Sequence, residues 1–141
     1  MDGYEYLEHT GDLGIRAYGK TLKDLFTNAA QGLLEAIADV NTVGEGKRIE
    51  IEVSAESLED LMVTWLGELN FRHEVEELFF RRIEIRALSE DPWVLSAVAY
   101  GEPMDFTKHV VYTEIKSVTY HQLLVEQTPD GSWVAQVIFD L

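Results

Sequence analysis

Two stretches of the chain carry apolar residues at helical spacing, and each begins at a residue that caps helices. The first runs from Thr21 to near Asp39, and its apolar positions are Leu22, Leu25, Phe26, Ala29, Ala30, Leu33, Leu34 and Ile37. The second runs from Ser57 to beyond Phe71, and its apolar positions are Leu58, Leu61, Met62, Trp65, Leu66 and Leu69. Thr21 and Ser57 are each followed three residues later by an aspartate, a spacing typical of helix N-termini. The pattern therefore predicts two amphipathic helices.

Extended segments with alternating or continuous apolar residues occupy most of the remaining chain. They cover residues 4–8, 12–18, 48–53, 79–88 and 94–100, and Val110 begins a final pair of strands. The resulting order, β-β-α-β-α-β-β-β-β, predicts an α+β fold with a mainly antiparallel sheet and both helices packed on one face. A strand–helix–strand pattern occurs twice, which allows two interlocked subdomains. At 141 residues the chain is expected to form a single domain, residues 1–141.

The final two strands are predicted to form a hairpin around a turn at residues 128–131. Pro129 presets the backbone for the second turn position, Asp130 can bond to its own backbone, and Gly131 accepts a positive φ. The second strand continues to the last residue, because its apolar side chains would otherwise be left in water. This places the side chain of Asp140 close to the terminal carboxylate of Leu141.

The turn leaves two registers open for this hairpin. If Asp130 and Gly131 alone form the loop, His121 faces Asp140. If a type I turn is followed by a bulge at Gly131, the register slips by one residue and Tyr120 faces Asp140. The sequence Thr-Pro-Asp-Gly favours the second register, so a contact between His121 and Asp140 is not predicted.

The excess of acidic over basic residues disfavours some classes of binding partner and favours others. The chain has 26 acidic and 11 basic residues, a formal net charge of −15. Such a surface repels phosphate backbones and disfavours direct binding of nucleic acid, whereas it suits metal cations or a basic protein. Much of the charge is equally consistent with an ordinary solvated surface.

The composition argues against cysteine-based sites, membrane-spanning segments and a secretory signal. The absence of cysteine excludes disulfides, thiolate metal sites and cysteine nucleophiles. No apolar run is long enough to span a membrane, and the acidic N-terminus lacks the basic and apolar segments of a signal peptide. A cytoplasmic protein is expected.

Asp12, Asp140 and the terminal carboxylate of Leu141 are the main candidates for chemistry. Asp12 lies near Gly11 and Gly14, where the backbone can approach a ligand, although aspartate is also common in ordinary turns. Asp140 and the terminus repel each other unless a cation lies between them, although Asp140 could equally point into solvent. Together the three groups would form an oxygen cage for Ca²⁺, Mg²⁺ or Mn²⁺. This requires the N-terminal strands to lie beside the C-terminal strand, which the sequence does not reveal.

Histidines and polar loop residues form a second set of candidates. His121 follows Tyr120 in the hairpin, although a lone histidine in a strand is more often a hydrogen-bonded residue of the partial core. His109, with Glu102 and Asp105, marks either a loop that contacts a partner or a polar turn. No Gly-x-Ser-x-Gly motif or catalytic triad is present, so catalysis by this chain alone is the less favoured interpretation.

Several segments resemble the archease family over essentially the whole chain. They are EHTGDLGIRAYG, WLGELNFRHE, GEPMDFTKH, EIKSVTYHQLLVE and GSWVAQVIFDL. The elements Lys-(Ala or Ser)-Val-Thr-Tyr-His and terminal Val-Ile-Phe-Asp followed by an apolar residue are specific when they occur together in a chain of this length. Ser117 stands where the family pattern has alanine, a mild departure.

The resemblance implies a non-catalytic activator of an RtcB-type tRNA-splicing ligase. That ligase joins RNA ends with GTP and Mn²⁺ through a guanylylated histidine of its own, and the activator promotes guanylylation and multiple turnover. By resemblance, Asp12, Asp140 and Leu141 hold a divalent metal ion, with Ca²⁺ favoured over Mg²⁺ or Mn²⁺. His121, His109, Glu102 and Asp105 also match the family pattern, as residues that contact a partner or support the metal ligands.

Two other functions remain open on the sequence. One is a chaperone-like module that keeps a tRNA-modifying enzyme, such as a methyltransferase, soluble and specific, which would predict homo-oligomers. The other is a metal-dependent hydrolase that uses the same carboxylates. Direct binding of nucleic acid or of a membrane is not expected.

Overall fold

Two antiparallel sheets and two helices make up the fold in the computed structural model, which describes residues 3–9 and 11–141 without the side chain of His9. The strands are β1 (Tyr4–His9), β2 (Asp12–Gly19), β3 (Lys47–Ala55), β4 (Leu78–Ser89), β5 (Trp93–Pro103), β6 (Ser117–Val118), β7 (Leu124–Gln127) and β8 (Trp133–Asp140). The helices are α1 (Leu22–Ile37) and α2 (Leu58–Val75), and a short 3-10 turn covers Val40–Thr42. Among these residues, no helix is long and apolar enough to cross a membrane.

The strands divide between a larger and a smaller sheet. In the five-stranded sheet the order is β1-β2-β8-β6, with β7 also paired to β8, and in the three-stranded sheet it is β3-β5-β4. Every strand pairing described is antiparallel. The predicted α+β class with antiparallel pairing is confirmed, and the division into two sheets is a detail that the sequence left open.

The two helices begin where the sequence predicts and join the sheets together. The hydroxyl of Thr21 accepts a hydrogen bond from the backbone N–H of Asp24 at 3.1 Å, and the hydroxyl of Ser57 accepts one from Asp60 at 3.1 Å. Each cap satisfies a backbone donor that the first helical turn leaves free. Helix α1 contacts β2 and β4, and α2 contacts β3 and β6, so each helix packs against both sheets.

A buried tryptophan links the two helices at the centre of the core. Trp65 of α2 is fully buried, and its indole N–H donates to the backbone carbonyl oxygen of Phe26 in α1 at 3.0 Å. This bond satisfies the one polar atom of a side chain that otherwise contributes only apolar surface. The sequence predicts Trp65 as a core residue, and the structure confirms it.

The hairpin turn adopts the second of the two registers considered. The backbone N–H of Gly131 donates to the carbonyl of Thr128 at 2.9 Å, and Gly131 has a φ of +90°. Gln127 is therefore opposite Trp133, as expected for a turn with a bulge at the glycine.

The predicted strand leading into this turn is wrong in its first part. Residues 104–116 form no strand, apart from an isolated bridge between Ala38 and Val111, and β6 is only two residues long. The chain then turns between Tyr120 and Leu123, where the Leu123 N–H donates to the Tyr120 carbonyl at 3.3 Å. This turn places Gln122 at a φ of +53° without a glycine, so no turn signal in the sequence marks it.

The extra turn shifts the register by three residues, and Ser117 is opposite Asp140. In β7 the numbers of paired residues sum to 260, as for Leu124 and Gln136, whereas in β6 they sum to 257. Neither His121 nor Tyr120 faces Asp140. A prediction that treats residues 117–127 as one continuous strand therefore gives the wrong partner for Asp140, because the turn between β6 and β7 takes three residues out of the pairing with β8.

The carboxylate of Asp130 is expected to make the hairpin sensitive to acid. It accepts hydrogen bonds from the Ser132 hydroxyl at 2.6 Å and the Ser132 N–H at 3.1 Å, and also from the Thr128 hydroxyl. These bonds, with the Ser132 hydroxyl first, lower the pKa of Asp130 from 3.8 to about 2. Because the folded-state pKa is depressed, the stabilisation is complete above pH 3.8 and is lost as the pH falls towards 2.

We therefore expect Asp130→Asn to lower the free energy of unfolding at neutral pH and to have little effect near pH 2. Urea unfolding of both proteins at the two pH values would measure this difference. Glu126→Gln, an exposed change in the same hairpin, serves as the control. An equal effect of Asp130→Asn at both pH values would contradict the assigned role.

Candidate functional site

Asp12 and Asp140 lie directly opposite each other at one end of the five-stranded sheet. Asp12 begins β2 and Asp140 ends β8, and the two are register partners. Opposite residues of an antiparallel pair have Cβ atoms about 4.5–5.5 Å apart, so two carboxylates here can reach a common ligand. The adjacency of the N-terminal and C-terminal strands, which the metal hypothesis requires, is present in the fold.

The backbone of Asp140 is held on both sides. One neighbour is β2, and on the other side Ser117 is the register partner and the Lys116 N–H donates to the Asp140 carbonyl at 2.8 Å. The preceding residue, Phe139, is fully buried. The C-terminus is thus fixed in the sheet as far as Asp140, and Leu141 follows at the surface with 36% exposure.

Strand alternation places the two carboxylates on the sheet face that turns away from the helices. Ile15 in β2 and Val137 in β8 belong to the core, so the even-numbered residues of both strands point to the opposite face. Asp12 is half-buried and Asp140 is exposed. The pair is therefore accessible to an ion or to a partner from solvent.

The donor set fits a hard divalent cation, although two side chains alone do not complete a site. Asp12, Asp140 and the terminal carboxylate of Leu141 offer only oxygen atoms, the ligands that Ca²⁺, Mg²⁺ and Mn²⁺ prefer. Among the described side chains, no group of three histidines or acidic residues is positioned to hold a metal. Within the part of the chain that the structure describes, Asp12 and Asp140 are therefore a pair of carboxylates without a third acidic or histidine side chain beside them.

His121 lies on the turn between β6 and β7 instead of in a ladder. Its side chain is exposed, and its backbone N–H donates to the hydroxyl of Thr119 at 3.2 Å. Thr119 in turn bonds through its hydroxyl to the carbonyl of Ile138 at 2.9 Å. The turn is thus attached to β8, but the register does not bring His121 opposite Asp140.

A second polar cluster forms around Glu102, at the end of β5. Its carboxylate accepts hydrogen bonds from Lys108 Nζ at 2.8 Å and from the Gly44 N–H. His109 Nδ1 accepts the Asp105 N–H at 3.0 Å, so Nε2 carries the proton and donates to Glu102 at 2.9 Å. The bonds from His109 and then Lys108 lower the pKa of Glu102 to about 2.

Asp105 closes the turn that holds this histidine. Its carboxylate accepts the hydroxyl of Thr107 at 2.6 Å and the Thr107 N–H at 3.0 Å, which hold the pKa of Asp105 below its usual range. The Asp105 carbonyl accepts the N–H groups of Lys108 and His109 at 3.0 and 2.8 Å. The His109 side chain is fully buried and both its ring nitrogens are hydrogen-bonded, so it supports the loop and is not available as a metal ligand.

Asn70 supports the site in a way that the sequence analysis missed. It is 5% exposed in α2, and its Nδ2 donates to the carbonyl of Ile115 at 2.8 Å. Ile115 immediately precedes Lys116, whose N–H bonds to Asp140. In the sequence, Asn70 is marked only by its position directly after Leu69, the last residue of the apolar stripe of α2. That position alone does not reveal its bond to Ile115.

The low pKa of Glu102 predicts that the loop it holds loosens in acid. The pKa is depressed from 4.5 to about 2, so the stabilisation is complete above pH 4.5 and is lost as the pH falls towards 2. Glu102→Gln removes the charge while it preserves the shape of the side chain. We expect faster amide hydrogen exchange in residues 104–109 of this variant at neutral pH, measured by mass spectrometry.

Two comparisons test this interpretation of Glu102. The same variant should show a smaller loss of stability, relative to the original chain, near pH 2 than at neutral pH. Glu126→Gln, at an exposed strand position, should leave exchange in residues 104–109 unchanged. Unaltered exchange in Glu102→Gln would show that the carboxylate does not hold the loop.

The whole chain is similar to known proteins. It is 41% identical over 142 residues to protein archease of Pyrococcus abyssi, with 100% of both chains covered, and 42% identical over 140 residues to protein archease of Methanosarcina acetivorans, covering 98% of this chain and 95% of that one. The solution structure of Methanobacterium thermoautotrophicum protein 1598 matches with a TM-score of 0.83 and 32% identity, covering 100% of both chains. Residues 4–141 match the Archease protein family (MTH1598/TM1083), and the chain belongs to this family.

Proposed function

We propose that this chain is a non-catalytic activator of an RtcB-type RNA ligase in tRNA splicing, which promotes guanylylation and multiple turnover of the ligase. Family membership supports an accessory role. The observation that carries the proposal is the pairing of Asp12 with Asp140 beside the chain terminus. Both aspartates lie in the segments that carry the family resemblance.

Asp12, Asp140 and the terminal carboxylate of Leu141 would hold a divalent cation, with Ca²⁺ favoured and Mg²⁺ or Mn²⁺ as alternatives. When bound, the cation supplies positive charge at the accessible face of the sheet. The chain itself contributes geometry, because β2, β8 and β6 fix the backbone at Asp140 before any ligand arrives. Preorganised carboxylates bind an ion without the cost of ordering a loop.

The charge of the chain explains why the proposed function depends on this ion. A protein with a net charge of −15 repels the phosphates of a nucleotide or an RNA end. A divalent cation held by Asp12, Asp140 and the terminal carboxylate would offset two of their three negative charges, which reduces the repulsion of phosphates where the two strands end. An acidic protein could then dock reversibly beside a phosphate-rich ligase site without binding RNA itself.

A chaperone-like role is the alternative that one observation favours. The segment between Phe106 and Tyr112 exposes several apolar side chains, a feature of surfaces that hold another protein. That role would not require Asp12 and would favour concentration-dependent oligomers. The experiments below separate it from ligase activation.

Binding of the metal is tested first without the ligase. We expect the original chain to bind at least one of Ca²⁺, Mg²⁺ and Mn²⁺ in isothermal titration calorimetry. Asp12→Asn and Asp140→Asn should each weaken binding by at least about tenfold, because the loss even of a residue that supports a ligand costs about 10–100-fold. Glu50→Gln, an exposed change on the other sheet, should bind as the original chain does. Equal affinities in all four proteins would exclude this site.

Ligase activation is tested with multiple-turnover RNA ligation by an RtcB-type ligase in the presence of GTP and Mn²⁺. We expect the original chain and Glu50→Gln to stimulate product formation beyond one turnover per ligase. Asp12→Ala should keep its fold, measured by circular dichroism, and fail to stimulate. Equal stimulation by Asp12→Ala would retain the activator and exclude its metal site. If even the original chain has no effect on a cognate ligase, the chaperone-like role becomes the better proposal.

A further inference from the structure

An open groove of about 420 Å³ lies between the end of α2 and the segment 104–116. Its apolar lining consists of Ile37, Phe79, Met104, Phe106 and Val111. The ring of Phe106 is 72% exposed and meets the buried ring of Phe79 edge to face, with 6.0 Å between the ring centroids. An exposed aromatic side chain thus rests on a fixed one. We refer to this feature as the Phe106 groove.

Exposed apolar surface extends around the Phe106 groove. Six large apolar side chains on α2 and on the segment 104–116 are between 43% and 72% exposed: Phe71, Val75, Phe106, Val110, Val111 and Tyr112. Helical spacing makes Phe71 a neighbour of both Glu74, which lines the groove, and Val75. A concentration of exposed apolar side chains with a polar rim is typical of a protein interaction site.

The chain holds this surface in place before any partner binds. The Met104 N–H donates to the Glu77 carbonyl at 2.9 Å, and the Tyr112 N–H donates to the Ile37 carbonyl at 2.8 Å. Between these points the buried side chain of His109 fixes the loop to Glu102. Thirteen residues separate Pro103 from Ser117, and loops of this length without regular structure are usually functional. A preorganised loop loses less conformational entropy when it binds.

The rim of the groove is acidic. Glu74 and Glu77 border one side and Glu114 borders the other. Together with the net charge of −15, they favour lysine and arginine on whatever binds there. We propose that the Phe106 groove binds a segment of the partner enzyme in which an apolar side chain enters the groove and flanking basic residues contact the three glutamates.

The position of the groove connects it to the carboxylate pair. Glu114 is two residues before Lys116, whose N–H bonds to the Asp140 carbonyl at 2.8 Å. Two residues span at most about 7 Å of extended chain. The groove therefore lies near the end of the sheet that carries Asp12 and Asp140, although the two carboxylates point to the face away from the helices. This inference rests on the proposed function where the partner is taken to be the ligase.

Binding of the RtcB-type ligase to immobilised chain tests the proposal. Phe106→Ala and the double variant Glu74→Lys/Glu77→Lys should each raise Kd by about tenfold or more, as expected for central interface residues. Phe106→Leu should retain most of the affinity. Glu50→Lys/Glu126→Lys makes the same change in charge at exposed positions on the sheets and should have a smaller effect.

A second measurement, stimulation of ligation at saturating concentrations, distinguishes the role of the groove from that of the carboxylate pair. At saturating concentrations the groove variants should again stimulate ligation, because only their affinity is reduced. Asp12→Ala should bind the ligase and still fail to stimulate. If both groove variants bind as tightly as the original chain does, the groove is not the docking surface, even where stimulation by the original chain supports the proposed function.

A synthetic peptide tests the groove if the original chain neither binds nor stimulates the ligase. The probe is a labelled peptide with leucine and phenylalanine between lysines, followed by fluorescence anisotropy and by NMR amide shifts of the chain. Binding that shifts residues 104–114 and is weakened by Phe106→Ala would support the groove while the proposed function fails. Absent binding, or binding that the groove variants do not alter, would overturn the proposal.

Discussion

The pairing of β2 with β8 is the constraint on which the rest of the structure depends. Strand β8 is the last of the chain, yet it lies inside the five-stranded sheet, with β2 on one side and β6 and β7 on the other. Its side chains Val137 and Phe139 are buried in the core, so the strand cannot fray without exposing core surface. This pairing brings Asp12 and Asp140 to one point, where strand geometry alone sets their separation.

The segment 104–116 connects the smaller sheet to the β2–β8 pair. It begins at the small sheet, passes the end of α1 and reaches Asp140 through Lys116. Asn70 and the Glu102–His109 pair hold it at intermediate points. One supported segment therefore lines the groove and also bonds to the backbone of Asp140.

Local patterns predicted the helices and the turn, because each depends on residues that are near one another in the sequence. The caps at Thr21 and Ser57 bond to residues within the first turn of each helix. Gly131 permits its turn because glycine readily adopts the positive φ found there. His121 is the contrasting example. Its position depends on a turn at Gln122 that has no glycine or proline, and on bonds from Thr119 to β8, so extrapolating the register from Gly131 could not locate it.

The sequence by itself determined which elements form, the residue types that could hold a cation, the acidic charge and the family resemblance. The tertiary structure decided which of these meet. It placed Asp12 opposite Asp140, buried His109 against Glu102 and left Phe106 exposed above Phe79. The physical reason is that periodicity and turn chemistry are local, whereas the neighbour of a strand is chosen by the burial of apolar faces across the whole fold.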